Sequence, residues 1–148
     1  MAEQMPPLIG TLLHDWLRDS VRKRGTTFIT ELNLAPFMPK GWGGTADWLF
    51  WHEERQGWFL IDVKSIMGFA MKYVLGEGPK TEHVAQVSAY WHAAKKMGLR
   101  LLPEVGVFYL PKERYEPAFM TFKPTPAAAL HADMRFRTRA VAKYRRSL

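Results

Sequence analysis

Two apolar and aromatic stretches, Gly44-Thr45-Ala46-Asp47-Trp48-Leu49-Phe50 and Trp58-Phe59-Leu60-Ile61-Asp62-Val63-Lys64, flank the polar run His52–Gly57. Large residues of this kind fit a pleated, half-buried surface, and the polar run between them reads as a hairpin turn. If Trp51 faces Trp58, every opposed pair keeps the same sum of residue numbers, and Asp47 falls opposite Asp62. Directly opposed Cβ atoms lie about 4.5–5.5 Å apart. Alternation along the strand puts Lys64 on the face that carries Asp62. The hairpin therefore has two acids and a lysine where a core would be apolar.

Carboxylates this close repel, and one of them resists ionising unless a positive group lies between them. A hard divalent cation such as Mg²⁺ or Mn²⁺ takes carboxylate and carbonyl oxygens and keeps waters for substrate phosphates. A neighbouring lysine orients or deprotonates an attacking water, or neutralises charge developing on phosphate. Read without further context, an Asp-x-Lys triplet is also a strand end with a solvated ion pair.

The residues resemble the PD-(D/E)XK nuclease superfamily, in which a G-x-x-D strand and a D/E-x-K strand build the site; here these are Gly44-Thr45-Ala46-Asp47 and Asp62-Val63-Lys64, followed by Ser65. Two further strings are similar to the RecB-like and lambda-exonuclease-like subgroup. Gly10-Thr11-Leu12-Leu13-His14 looks like its opening G-x-x-x-H, and Gln86-Val87-Ser88-Ala89-Tyr90 looks like its Q-x-x-x-Y helix. Four elements thus occur in the family's order between His14 and Tyr109. The departure is Asp62, where many members have Glu.

The resemblance implies an α/β fold, a mixed and mainly antiparallel central sheet flanked by helices in αβββαβ order, with a basic C-terminal helix appended. It implies a Mg²⁺- or Mn²⁺-dependent deoxyribonuclease, of RecB or phage exonuclease type, acting in DNA recombination, repair or processing. Asp47, Asp62, the Val63 carbonyl and His14 would hold the metal, with Glu31 a reserve ligand. Lys64 would activate water; Gln86 would orient it or the active-site loop, and Tyr90 would contact phosphate or buttress the site. A homo-oligomer or a recombination partner protein is admitted by analogy. The competing reading is a non-catalytic basic module that grips nucleic acid. A sequence-specific endonuclease would need a recognition surface that the residues do not display.

The rest of the chain is compatible. Residues 1–148 suit one domain by length. A net charge of +7 with 14% aromatic residues suits a polyanionic partner. The chain has no cysteine, which excludes disulfides, thiolate metal sites and the iron–sulfur cluster some superfamily members carry. No apolar run reaches the ~20 residues of a membrane span, and the start Met1-Ala2-Glu3-Gln4 lacks the basic opening of a secretory signal. A cytoplasmic protein, bacterial or viral in a host cell, is the expectation.

In chain order, Ile9, Leu12, Leu13, Trp16, Leu17 and Val21 mark an amphipathic helix stopped at Gly25, with His14 bordering its apolar face. Thr26 to Leu34 reads as a strand in which Glu31, in step with Ile29 and Asn33, points away from Phe28, Thr30 and Leu32. Ala35 to Gly43 is a loop whose Lys40 and Trp42 either contact nucleic acid or form an exposed connection. Met67 to Gly78, with glycines at 68, 76 and 78, reads as an irregular, substrate-facing loop. A helix from Pro79 or Lys80 to Met97 follows, with Val84, Val87, Trp91 and Ala94 as its core stripe. Leu101 to Leu110 reads as a buried central strand reached through that helix, and Ala118 to Phe122 as an edge strand.

Thr125 and Pro126 open a last helix in which Arg135, Arg139, Lys143 and Arg146 recur at intervals of four, four and three. This stripe is a solvated face or a phosphate contact, and Arg137 and Arg145 beside it favour the contact. With six phosphates engaged, DNA affinity should fall with salt at a log–log slope of about −5. Titrations between 50 and 200 mM salt check this; a slope near zero would remove the stripe from the interface.

Overall fold

The chain runs β1 (Phe28–Asn33), β2 (Thr45–His52), β3 (Gly57–Ile66), α1 (Gly68–Glu77), α2 (Thr81–Lys96), β4 (Leu101–Pro111) and β5 (Ala118–Phe122). These elements come from a computed structural model that describes residues 27–39, 43–112 and 116–130. The strands form one sheet in the order β1-β2-β3-β4-β5. Only β3 and β4 are parallel, joined through the two helices; the other three pairings are antiparallel. This is the mixed, mainly antiparallel sheet with flanking helices that the sequence led us to expect.

The β2–β3 hairpin has the expected register. Trp51 pairs with Trp58, and the same register continues to Trp48 opposite Ile61. The two indoles meet edge to face, 5.3 Å between centroids. In the turn, Gln56 takes a positive φ of 51° and its amide donates to the Glu53 carbonyl at 2.6 Å, while Trp51 Nε1 donates to Glu53 Oε2 at 2.7 Å. These local bonds close the turn while the apolar strands fix its register.

Alternate residues of the strands face the helices. Leu49, Leu60, Val105, Val107 and Tyr109 are buried there with Met71 and Val74 of α1 and Val87, Tyr90, Ala93 and Ala94 of α2. A second cluster, Trp48, Val63 and Leu110 with Phe28, Phe50, Ile61 and Phe108, occupies the other side. In β1 the alternation breaks. Ile29 and Leu32 both pack on the helix-side core, and Glu31 between them has a φ of 54° and is exposed. The positive φ shifts the phase of the strand, so the unbroken alternation expected through Glu31 does not hold.

The expected loop Met67 to Gly78 is a helix for most of its length. Ala70, Met71 and Val74 are buried at helical spacing, while Gly68 and Gly76 lie within a turn of the ends. Gly78, with φ 89°, sits at the C-terminal cap, a conformation that favours glycine. In α2, Val87 and Ala94 are buried as expected and Trp91 packs against the core, but Val84 is only partly buried. Ser88 and Ala89 are buried as well, because α2 is covered on a second side. Ser88 Oγ accepts the Thr125 N–H at 3.0 Å, His92 Nε2 donates to the Thr125 carbonyl at 2.8 Å, and Leu130 packs on Ala89.

The N-terminal helix with His14, the loop residues Lys40 and Trp42, and the stripe Arg135, Arg139, Lys143 and Arg146 lie outside the described residues. Among those described, no helix is long and apolar enough to cross a membrane.

The assignment of α1 is testable by two substitutions. Met71 is fully buried, so Met71→Ala should cost about 2–4 kcal/mol. Tyr73 is 63% exposed, and Tyr73→Ala should stay within about 0.5 kcal/mol. Urea denaturation separates the two; equal effects would contradict the helical phase.

Candidate active site

On β3 the helix-facing residues are Trp58, Leu60, Asp62, Lys64 and Ile66, an apolar stripe broken by two charges. Asp62 is 2% exposed. The ladder of the hairpin ends at Trp48 opposite Ile61, one residue short of Asp47 and Asp62. Asp47 Oδ2 accepts the backbone N–H of Val63 at 2.8 Å, which holds this carboxylate across the hairpin beside Asp62. Val63 turns its side chain to the opposite face, so its backbone is the part of it that the site meets.

Lys64 lies on the same face, its Nζ 3.1 Å from Asp62 Oδ2. The contact is an ion pair to a buried carboxylate oxygen. Lys64 Nζ donates to Gln86 Oε1. Gln86 Nε2 donates in turn to Tyr90 Oη at 2.9 Å. Gln86 and Tyr90 occupy one face of α2, a turn apart, so the helix lays a neutral hydrogen-bonded arm over the lysine.

Tyr90 also explains the glycine of the G-x-x-D string. A methyl group at Gly44 would collide with the edge of the Tyr90 ring. Burial pushes the pKa of the hydroxyl up.

The electrostatics follow from burial. The Asp62 carboxyl is pushed up to about 7, first by desolvation, then by its hydrogen bond to Asp47 and by repulsion from that group, against the lowering effect of Lys64. A buried acid that resists ionisation, with a second carboxylate beside it, offers a donor set that fits a hard divalent cation. Asp47 and Asp62 are the side chains that would hold one. Among the described residues no third His, Asp or Glu converges on them. Glu31 is exposed, and His14 lies outside the described residues.

Two neighbours were not singled out in the sequence. His83, one turn before Gln86, has Nδ1 2.7 Å from the hydroxyl of Tyr109, and Tyr109 pairs with Lys64 across the parallel β3–β4 ladder. Both read as ordinary helix and strand residues until the sheet register brings them together. The only advance signal was the position of His83 three residues before Gln86.

No family model matches the chain, and no curated protein does. Among solved structures the chain is similar to SSO0001, with a TM-score of 0.57 and 16% sequence identity over 84% of this chain. The chain spans 55% of the length of that protein. At this identity the likeness concerns the fold alone.

Asp62 gives a pH prediction. In EDTA the native protein binds a proton between about pH 4 and about 7 that the unfolded chain releases, so stability falls as pH rises through that window. Asp62→Asn removes the loss and should be more stable than the parent at pH 8, by about 2–4 kcal/mol. At that pH Mg²⁺ or Mn²⁺ should raise the melting temperature of the parent but not of Asp62→Asn. Parallel melting curves with a pH-independent difference between the two proteins would contradict the assignment.

Proposed function

We propose that the chain is a metal-dependent nuclease of the PD-(D/E)XK kind, hydrolysing phosphodiester bonds in DNA and nearest in type to RecB-like and phage exonucleases. The observation that carries the reading is the meeting of Asp47, Asp62, Lys64 and Gln86 on one face, from two strands and a helix.

A divalent cation held by Asp47 and Asp62 would supply Lewis acidity and charge neutralisation at a phosphoryl oxygen. The protein's own share is arrangement. Lys64 sets a positive charge beside the carboxylates, where it orients an attacking water or balances charge developing on phosphate. Gln86 fixes the lysine without adding negative charge, and Tyr90 fixes Gln86. Such preorganisation spares the site reorientation during reaction. The net charge of +7 supports attraction of a polyanion. The same charge would serve a module that binds nucleic acid without cutting it, but buried acids in a phosphate-binding cleft would only weaken such a module.

End-labelled linear and closed circular DNA, single- and double-stranded, incubated with Mg²⁺, Mn²⁺ or EDTA, separates these readings. The expected result is metal-dependent cutting, reduced about 100-fold or more in Lys64→Ala. Resistance of circles would identify an exonuclease. Salt-sensitive binding with no cutting under either metal would favour the binding module.

A further inference from the structure

The hydrogen bonds around Tyr109 determine the state of a residue that the nuclease reading leaves unused. Tyr109 is fully buried, and its hydroxyl oxygen accepts the backbone N–H of Lys80 at 3.2 Å. A buried hydroxyl proton needs an acceptor, and the partner on its other side is Nδ1 of His83, 2.7 Å away. Tyr109 therefore donates to Nδ1, which must be unprotonated. The imidazole proton is then on Nε2, on the far side of the ring from Tyr109.

The ring's surroundings keep it neutral. Burial lowers the pKa of His83, as do the charges of Lys64 and then Lys80, against the opposing effects of Asp62 and Glu82. His83 is partly exposed. Its position is set twice. His83 stands a helical turn from Gln86, which binds Lys64, and it grips Tyr109, the direct neighbour of Lys64 on the next strand. Adjacent strands are about 4.8 Å apart, and the charge of Lys64 acts on the His83 ring, so the two side chains are near neighbours.

We propose that His83 is a substrate-binding residue of this site, a neutral imidazole held in its Nε2–H tautomer by Tyr109, donating Nε2–H to a non-bridging phosphate oxygen of the nucleic acid next to Lys64. The functional row on α2 is then His83, Gln86 and Tyr90, with the histidine contacting phosphate and the other two positioning Lys64. The assignment rests on the phosphodiester reading of the site.

The test compares His83→Ala, His83→Gln and Tyr109→Phe with the parent and Lys64→Ala. Affinity for a fluorescent thymidine oligonucleotide is measured in EDTA, and cutting in Mn²⁺. His83→Ala should weaken binding about tenfold, the scale of one hydrogen bond to a charged group. His83→Gln keeps an N–H donor and should recover most of the loss. ¹⁵N-histidine spectra should show the Nε2–H tautomer in the parent and a tautomer mixture in Tyr109→Phe. Unchanged affinity in His83→Ala, with only the melting temperature lowered, would overturn the proposal, as would an Nδ1–H tautomer in the parent. If the parent binds but does not cut, the nuclease reading fails while the binding and tautomer measurements still decide the role of His83.

Discussion

A carboxyl group at the centre of an apolar sheet face is the constraint around which this structure is arranged. Burying an ionised acid costs several kcal/mol unless partners compensate, and Asp62 sits between Leu60 and Ile66 in the middle of the helix-side core. Its neighbours answer that cost only in part. Lys64 supplies charge at 3.1 Å, but its hydrogen bond goes to Gln86, and Asp47 adds repulsion. A residue chosen for stability would not be an acid here. The sheet around it is therefore apolar enough to carry a locally unfavourable group, which is how functional sites are ordinarily tolerated.

The topology explains why α2 and not another element supplies the lysine's partner. With β3 and β4 parallel, the chain must cross from the end of one to the start of the other, and both helices lie in that crossing. α2 packs against β4, β3 and β2, so residues at three- and four-residue intervals along it meet successive strands. Tyr90 reaches Gly44 and Thr45 at the start of β2, Gln86 reaches Lys64 on β3, and His83 reaches Tyr109 on β4. One helix face thus ties three strands together at the place where their charged residues converge.

Much of this was legible in the sequence, for definite reasons. The hairpin register was fixed by two tryptophans and a short polar turn, and the period of two then dictated which side Asp47, Asp62 and Lys64 share. The edge strand Ala118–Phe122 and the central strand after α2 followed from apolar runs between turn residues. Helix α1 is hidden because glycine ordinarily breaks helices, although Gly68, Gly76 and Gly78 lie near its ends, where glycine does little harm. The phase change at Glu31 was hidden because a positive φ at a non-glycine residue leaves no mark in hydrophobic patterning. The His83–Tyr109 pair depends on the parallel register of β3 against β4 across the whole crossover, which no local pattern encodes.

The identity of residue 86 bears on how a lysine can be anchored without spending its charge, which the proposed nuclease reading needs. A glutamate would bind Lys64 more strongly, since a charged acceptor about doubles a hydrogen bond. It would also place a third carboxylate beside Asp47 and Asp62, consume the lysine's charge and lose the donor that holds Tyr90. Glutamine is satisfied at both ends, accepting from Lys64 and donating to Tyr90, so its amide orientation is fixed by its partners. The lysine is thereby positioned by a neutral group and its charge remains for Asp62 and, on the proposed reading, for phosphate. A neutral histidine beside it follows the same logic, contributing a donor without a second cation to repel Lys64. On the proposed phosphodiester reading, the site keeps its net charge low and its hydrogen bonds directional, which would let it attract phosphate while positioning two acids.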